Sequence, residues 1–500
     1  VTNSNFESVK KDINLGVFWL VALRIVLKSI SVVSTLILVR LLLPEDFGLV
    51  ALAMSFYALI ELMSAFGFEA AIVQTRNAKA GHYSTIWTIR FILSGFMCLT
   101  TFFAAPWVAD FYSEPQLTHL LQLCSFLFVL KAATNPGMIS FIKEMDFKME
   151  FRYQGIAKLS SFFVTIAAAW WLRNYYALII GMYASTIISV GLSYYYSKFR
   201  PTFCLTYARE LMNFSKWMFV NAWLNYLNTR TGEIVLGYFG SSKIVGLFNV
   251  SYEISSLPSN ELGAAINRSS FSGYSKAQGN IPLLRNLFHD VLGNTSIVAF
   301  STSLGIFLLA YELSHWLLGP GWESTQIVFE YIAIASIFRA LSTNHQYVYM
   351  SLGKPRLTTM LSAIHAVLLF VLLIPLTYVE GLAGAAKAYL YTSILYYPLP
   401  MLITKRLINF SFKEYLKTIF RHLLAGVAMV VGTQFVVEQA QFTHNPMFFS
   451  LLIKICLGAI VFVSVLYLLW LMDGRPVNTS EGQMFTFVKR KIKGSALANQ

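Results

Sequence analysis

A chain of 500 residues that is 56% hydrophobic and only 12% charged is too apolar for a soluble protein, in which about a quarter of residues are charged. The mean hydropathy of +0.59, with 41 Phe and 26 Tyr, suits lipid-facing helices and interfacial aromatic belts. The net charge of +14 does not signal nucleic acid, because Lys and Arg are scattered through short loops and form no single patch.

The first apolar segment, 13–41, carries Arg24 and Lys28 in its middle. Four residues apart, they share one helix face. A cation at bilayer depth costs about 2.5–3.5 kcal/mol and faces a bundle interior or a watery cavity. Lys28 lies roughly 22 Å from either end of the segment, too far to snorkel comfortably. The pair therefore points to a cation-lined cavity that meets an anionic ligand. Such a segment reads as a retained first span, not a cleaved signal peptide.

Windows of about 19 apolar residues continue along the chain at 47–72, 83–106, 117–141, 153–172, 175–197, 212–239, 244–268, 287–311, 325–351, 357–378, 381–404, 418–438 and 447–472. With the first, these predict an all-α polytopic membrane protein of about 14 transmembrane helices. Alternate loops then hold twenty-six Lys and Arg on the N-terminal side, against Arg40, Arg173 and Lys243 on the other. That bias puts both termini in the cytoplasm.

Two echoes suggest internal repetition. Leu43-Pro44-Glu45-Asp46-Phe47-Gly48-Leu49 resembles Gly240-Ser241-Ser242-Lys243-Ile244-Val245-Gly246-Leu247 at an offset of 198, and Lys131–Asn135 resembles Arg339–Asn344 at an offset of 209. Each falls six spans apart in the same orientation. The expected organisation is a six-helix lobe over 1–200, a second over 201–405, and two extra helices with a basic tail over 406–500. Within that tail, 484–493 is a basic amphipathic stretch suited to anionic membrane lipid.

No Walker loop, HExxH or Gly-x-Ser-x-Gly elbow is present. Cys98, Cys124, Cys204 and Cys456 have no metal-ligand spacing and read as free thiols. The expectation is a transporter, not an enzyme, with no catalytic residues, no metal and no cofactor. Its chemistry lies in intramembrane charge. Arg90 and Lys131 either join Arg24 and Lys28 around one lumen or reach the headgroups. Arg230 and Glu233, three apart on one helix face, neutralise each other. Glu61 has two roles open to it, a pair with Arg24 or proton uptake that couples transport to an ion gradient. Pro258 interrupts its span and suits a hinge.

The turn at Leu38–Leu49, Phe66-Gly67 with Gln74, and Asn135-Pro136 followed by Met145-Asp146-Phe147-Lys148 resemble the polysaccharide transporter branch of the multidrug/oligosaccharidyl-lipid/polysaccharide exporter superfamily. Its Wzx-type flippases serve O-antigen, colanic acid and other exopolysaccharide pathways. The resemblance implies two six-helix bundles working by alternating access in the bacterial inner membrane. The implied cargo is an undecaprenyl-diphosphate-linked oligosaccharide moved from the cytoplasmic to the periplasmic leaflet, with H+ or Na+ as driving ion. Partners would be that lipid-linked oligosaccharide, anionic lipids, and the polymerase and glycosyltransferases of the same pathway. The cationic lumen would fall on Arg24 and Lys28, then Arg90, Lys131, Arg230 and Arg339. Alternatives are a lipid II flippase or a multidrug exporter of the same superfamily, and, in another class, a membrane-embedded glycan polymerase or ligase. A cation exporter would favour unpaired carboxylates, and a polymerase large charged external loops; this chain has neither pattern.

Overall fold

The computed structural model describes residues 3–64, 72, 79–143, 146–208, 216–257, 270–271, 273–439, 447–474, 476, 479–482 and 486, with backbone alone for 3–18, 20–21, 142, 147 and 216–221. Pro258 and nearly all of 484–493 lie outside the described residues. Among the described residues the regular structure is entirely helical, in two compact units, 1–250 and 251–500.

Unit 1 holds α1 (Asn3–Leu41), α2 (Pro44–Glu61), α3 (Ala80–Tyr112), α4 (Gln116–Ala132), α5 (Phe147–Leu172), α6 (Tyr176–Tyr196), α7 (Lys216–Phe239) and the first half of α8 (Ser242–Leu257). The motif residues prove to be helix starts. Asp46 accepts from the Leu43 amide at 3.0 Å, capping α2 behind Pro44, and with its other oxygen accepts from the Tyr175 amide at 2.9 Å where α6 begins. One buried carboxylate thus satisfies orphan donors of two helices. Asn135 accepts from Gly137 at 2.9 Å and donates to the Phe199 carbonyl at 2.7 Å; Asp146 caps α5 through Met149 at 3.1 Å. Helix α1 packs on α5, with Trp19 5.2 Å from Phe151. α2 meets α4 through Tyr57 and Phe128, stacked at 3.9 Å, and α7 through the Tyr226 hydroxyl, which donates to the Ser55 carbonyl at 3.2 Å.

At one end of this unit the two echoed turns lie against each other. A methyl group on Gly48 would fall 1.6 Å from the Ser242 carbonyl oxygen, and one on Gly246 would fall 1.9 Å from the Pro44 carbonyl oxygen. Pro44 and Ser242, like Gly48 and Gly246, are 198 residues apart, so the contact is reciprocal, as across a two-fold axis. Glu45 and Lys243, also 198 apart, pair at 3.6 Å. The Glu114 carboxylate accepts from the Ser242 amide at 3.1 Å and tethers the start of α8. Only glycine allows backbones this close.

Unit 2 holds the rest of α8, then α9 (Ile281–Leu308), α10 (Gln326–Ser351), α11 (Pro355–Tyr396), α12 (Pro398–Ile408), α13 (Phe412–Gln439) and α14 (Met447–Met472). α9 packs on α10 and α13, α10 on α11, and α13 on α14. Its core surrounds His345, whose ring nitrogens meet the Thr404 hydroxyl at 2.8 Å and the Tyr415 hydroxyl at 3.1 Å. Both nitrogens are satisfied, as a structural histidine requires. The segment 479–482 returns to this bundle: Ser480 donates to the Asp290 carbonyl at 3.1 Å, and Glu481 meets His422 at 3.1 Å and Arg421 at 3.4 Å. Burial alone would raise the Glu481 carboxyl, but the hydrogen bond and charge of His422, with Arg421 beside it, hold it at about 2.

Each sequence window overlaps a helix among the described residues, with 65–71, 212–215 and 258–268 lying outside them. Windows 357–378 and 381–404 divide where Gly381, at φ 57°, breaks α11. Among the described residues ten helical segments are long and apolar enough to cross a membrane, and Trp107, Trp171 and Val379 are among large side chains left widely exposed on them. Such surface is stable only against lipid.

Candidate functional site

A cavity of about 640 Å³ opens within unit 1, among the ends of α2 and α4, the middle of α3, the turn at 134–139, the start of α5 and the second half of α6. Arg90 stands ten residues into α3, roughly 15 Å along the axis, so the cavity reaches well into the bundle. Four of its lining residues carry charged groups: Glu61, Arg90, Lys131 and Glu150. The Tyr57–Phe128 stack holds the ends of α2 and α4 together, and there Lys131 pairs with Glu61 at 2.5 Å. Both remain solvent-accessible, at 63% and 37%, so the pair adds little stability, less than about 1 kcal/mol. It fixes instead where charge stands in the cavity. The remaining wall is largely neutral and polar: Asn135, Tyr153, Gln154, Ser185, Thr186 and Ser189. Gln154 hydrogen-bonds Glu150 one turn below it.

Of the residues singled out from sequence, the structure brings Glu61, Arg90 and Lys131 to one cavity and leaves the others elsewhere. Glu61 is the last residue of α2 before a 3-10 turn, and its partner is Lys131, not Arg24. Arg24 and Lys28 lie one turn apart on α1, half-buried, and neither lines the cavity. Arg230 clasps Glu233 at 2.8 and 2.9 Å within α7, and Asn249 of α8 donates to the same carboxylate at 2.6 Å; this cation is committed to Glu233, and Asn249 ties that carboxylate to α8. Arg339, on α10 in unit 2, donates to the Tyr252 hydroxyl. Lys387 and Lys454 have carboxylate partners of their own, Glu380 and Glu312, each at 2.5 Å.

Sequence reasoning missed the wall from α5 and α6. Glu150 and Gln154 stand at i and i+4, and Ser185, Thr186 and Ser189 at i, i+1 and i+4. A polar stripe at the entry to one apolar window and along the next was the available signal.

The fold matches solved membrane transporters. The lipid II flippase MurJ, in an inward closed conformation, superposes with a TM-score of 0.70 at 15% identity over 89% of this chain and 99% of that one. An inward-facing multidrug resistance transporter of the MATE family superposes at 0.58 with 14% identity, over 76% of this chain and 94% of that one. Fold and apolar helices together define a multi-pass membrane protein. Among curated proteins, the lipopolysaccharide biosynthesis protein WzxC of Escherichia coli K12 is 22% identical over 338 residues, 67% of this chain and 69% of its own. Residues 37–327, more than half of the chain, match the family described as polysaccharide biosynthesis protein, and the chain belongs to that family.

Proposed function

We propose that this protein is a flippase that moves an undecaprenyl-diphosphate-linked oligosaccharide from the cytoplasmic to the periplasmic leaflet of the bacterial inner membrane by alternating access. The observation that carries this reading is a cavity of about 640 Å³, lined by charged and neutral polar groups inside an apolar helical unit, in a member of the polysaccharide biosynthesis family. A glycan and a diphosphate are badly solvated in hydrocarbon, and a protein that carries them across must replace that solvation.

Arg24 and Lys28, on one face of α1, are assigned to the diphosphate, Lys as a point charge and Arg with its planar fork. The glycine crossing of α2 and α8 closes one end of the path, and release of that crossing opens it. Glu61, poised between Lys131 and a free proton or cation, couples the cycle to an ion gradient. The polymerase and glycosyltransferases of the pathway consume the product and supply the substrate.

Complementation of a bacterium lacking its own repeat-unit flippase tests the reading. Restored surface glycan with the parent protein, lost with Arg24→Ala and Lys28→Ala at matched membrane levels, is the expected result. Export by both variants at the parent's rate would refute the assignment of the diphosphate to α1.

A further inference from the structure

Resting on the flippase reading, we propose that the cavity of unit 1 is a saccharide pocket, distinct from the place where the diphosphate is held. Charge is the first reason. Arg90 and Lys131 are offset by Glu61 and Glu150 in the same lining, so the formal charge of the wall is balanced. A diphosphate, with at least two negative charges, gains nothing net from such a wall, because each carboxylate repels what each cation attracts. A sugar, neutral and rich in hydroxyls that each donate and accept, is suited by it. Carboxylates and carbonyl oxygens accept from sugar hydroxyls, guanidinium and ammonium groups donate to them, and side-chain amides and hydroxyls do both.

The second reason is the mixture of surfaces. Gln154 and Ser185 offer hydrogen-bonding groups, whereas Tyr153 brings ring surface to the same wall, against which the C–H face of a pyranose packs. The third is size and hydration. About 640 Å³ lies within the roughly 300–1,000 Å³ of ligand cavities, and the exposure of Lys131 and Glu61 keeps the site wet enough to exchange water for hydroxyls. Helix α5 then separates two tasks: its start lines this pocket, and it packs against α1, which carries Arg24 and Lys28.

The test is calorimetric titration of the purified full chain in detergent with two probes. One is the lipid-free oligosaccharide repeat released by mild acid from the surface polysaccharide of the cell that makes this protein; the other is inorganic pyrophosphate. The parent protein is expected to bind the oligosaccharide, and pyrophosphate is expected not to compete. Gln154→Ala should weaken oligosaccharide binding about tenfold, the scale of one lost hydrogen bond, and Ser185→Trp, which pushes an indole into the pocket, should weaken it further. Melting temperature and pyrophosphate binding should stay at parent values in Gln154→Ala, which separates a pocket effect from misfolding. Failure of the parent to bind the oligosaccharide, undiminished binding by Gln154→Ala, or displacement of the sugar by pyrophosphate would each overturn the proposal. Loss of the flippase reading looks different: a parent that binds the oligosaccharide in this pocket yet moves no lipid-linked glycan.

Discussion

Lys131 and Glu61 illustrate how a single pair sets the character of a site. Read singly from the sequence, Lys131 belongs to a positive excess and Glu61 is an acid without a fixed partner; at 2.5 Å they cancel, and the cavity they share with Arg90 and Glu150 is balanced. Reversing one charge should therefore hurt more than reversing both. Glu61→Lys is expected to cut surface-glycan export about tenfold, and adding Lys131→Glu to restore most of it, on the scale of coupling between contacting residues; export in complemented cells reads both. Asp46 makes a structural counterpart. It caps α2 and the start of α6 at once, so Asp46→Ala should cost about 2 kcal/mol, two caps at about 1 kcal/mol each, seen as a lowered melting temperature in detergent. The charges of α1 are conspicuous in sequence because charge is rare in a span. The wall of α5 and α6 is not, since Ser, Thr and Gln in apolar helices usually serve their own backbone, and only the packing of α5 on α6 shows which of them share a cavity.

At the scale of elements, the all-helical class and the helix positions among the described residues were legible, because a span must be continuously apolar and the loops between spans need not be. Gly381, at φ 57°, breaks α11 where the windows divide, since only a residue without a side chain adopts that conformation freely. The weak echo between the turns at 43–49 and 240–247 carried more than its similarity suggested: the two stretches pack on each other through Gly48 and Gly246. Their reciprocity was invisible in sequence, where two similar turns have no stated partner. If this crossing is the closed end of the path, Gly48→Val must force it apart, because a β-carbon has no room 1.6 Å from the Ser242 carbonyl. A cysteine at the buried position Ser242, in a background free of native cysteines, should then label with a membrane-impermeant maleimide several-fold faster than in the Gly48 parent. Equal labelling would mean that the crossing is rigid scaffold.

For the whole molecule, the 479–482 segment links stability to pH. The Glu481 carboxyl sits at about 2 in the folded chain, below the roughly 4.3 of an unfolded glutamate. Its contribution is complete above about pH 4.3 and is lost as pH falls toward 2. Glu481→Gln should lower the melting temperature at pH 7, by about 2 kcal/mol in stability as for a charged hydrogen bond, and the two curves should converge in acid; parallel curves would contradict the role of His422 and Arg421. Above these details stands the claim that the protein carries a lipid-linked glycan between leaflets. Its most direct test is reconstitution into vesicles that contain undecaprenyl-diphosphate oligosaccharide in both leaflets, with a glycosidase added outside. The account predicts that the purified parent exposes the inner-leaflet pool to complete digestion, and that Arg24→Ala with Lys28→Ala does so far more slowly. An inner pool that stays protected with the parent, under an imposed proton or sodium gradient of either sign, would contradict it.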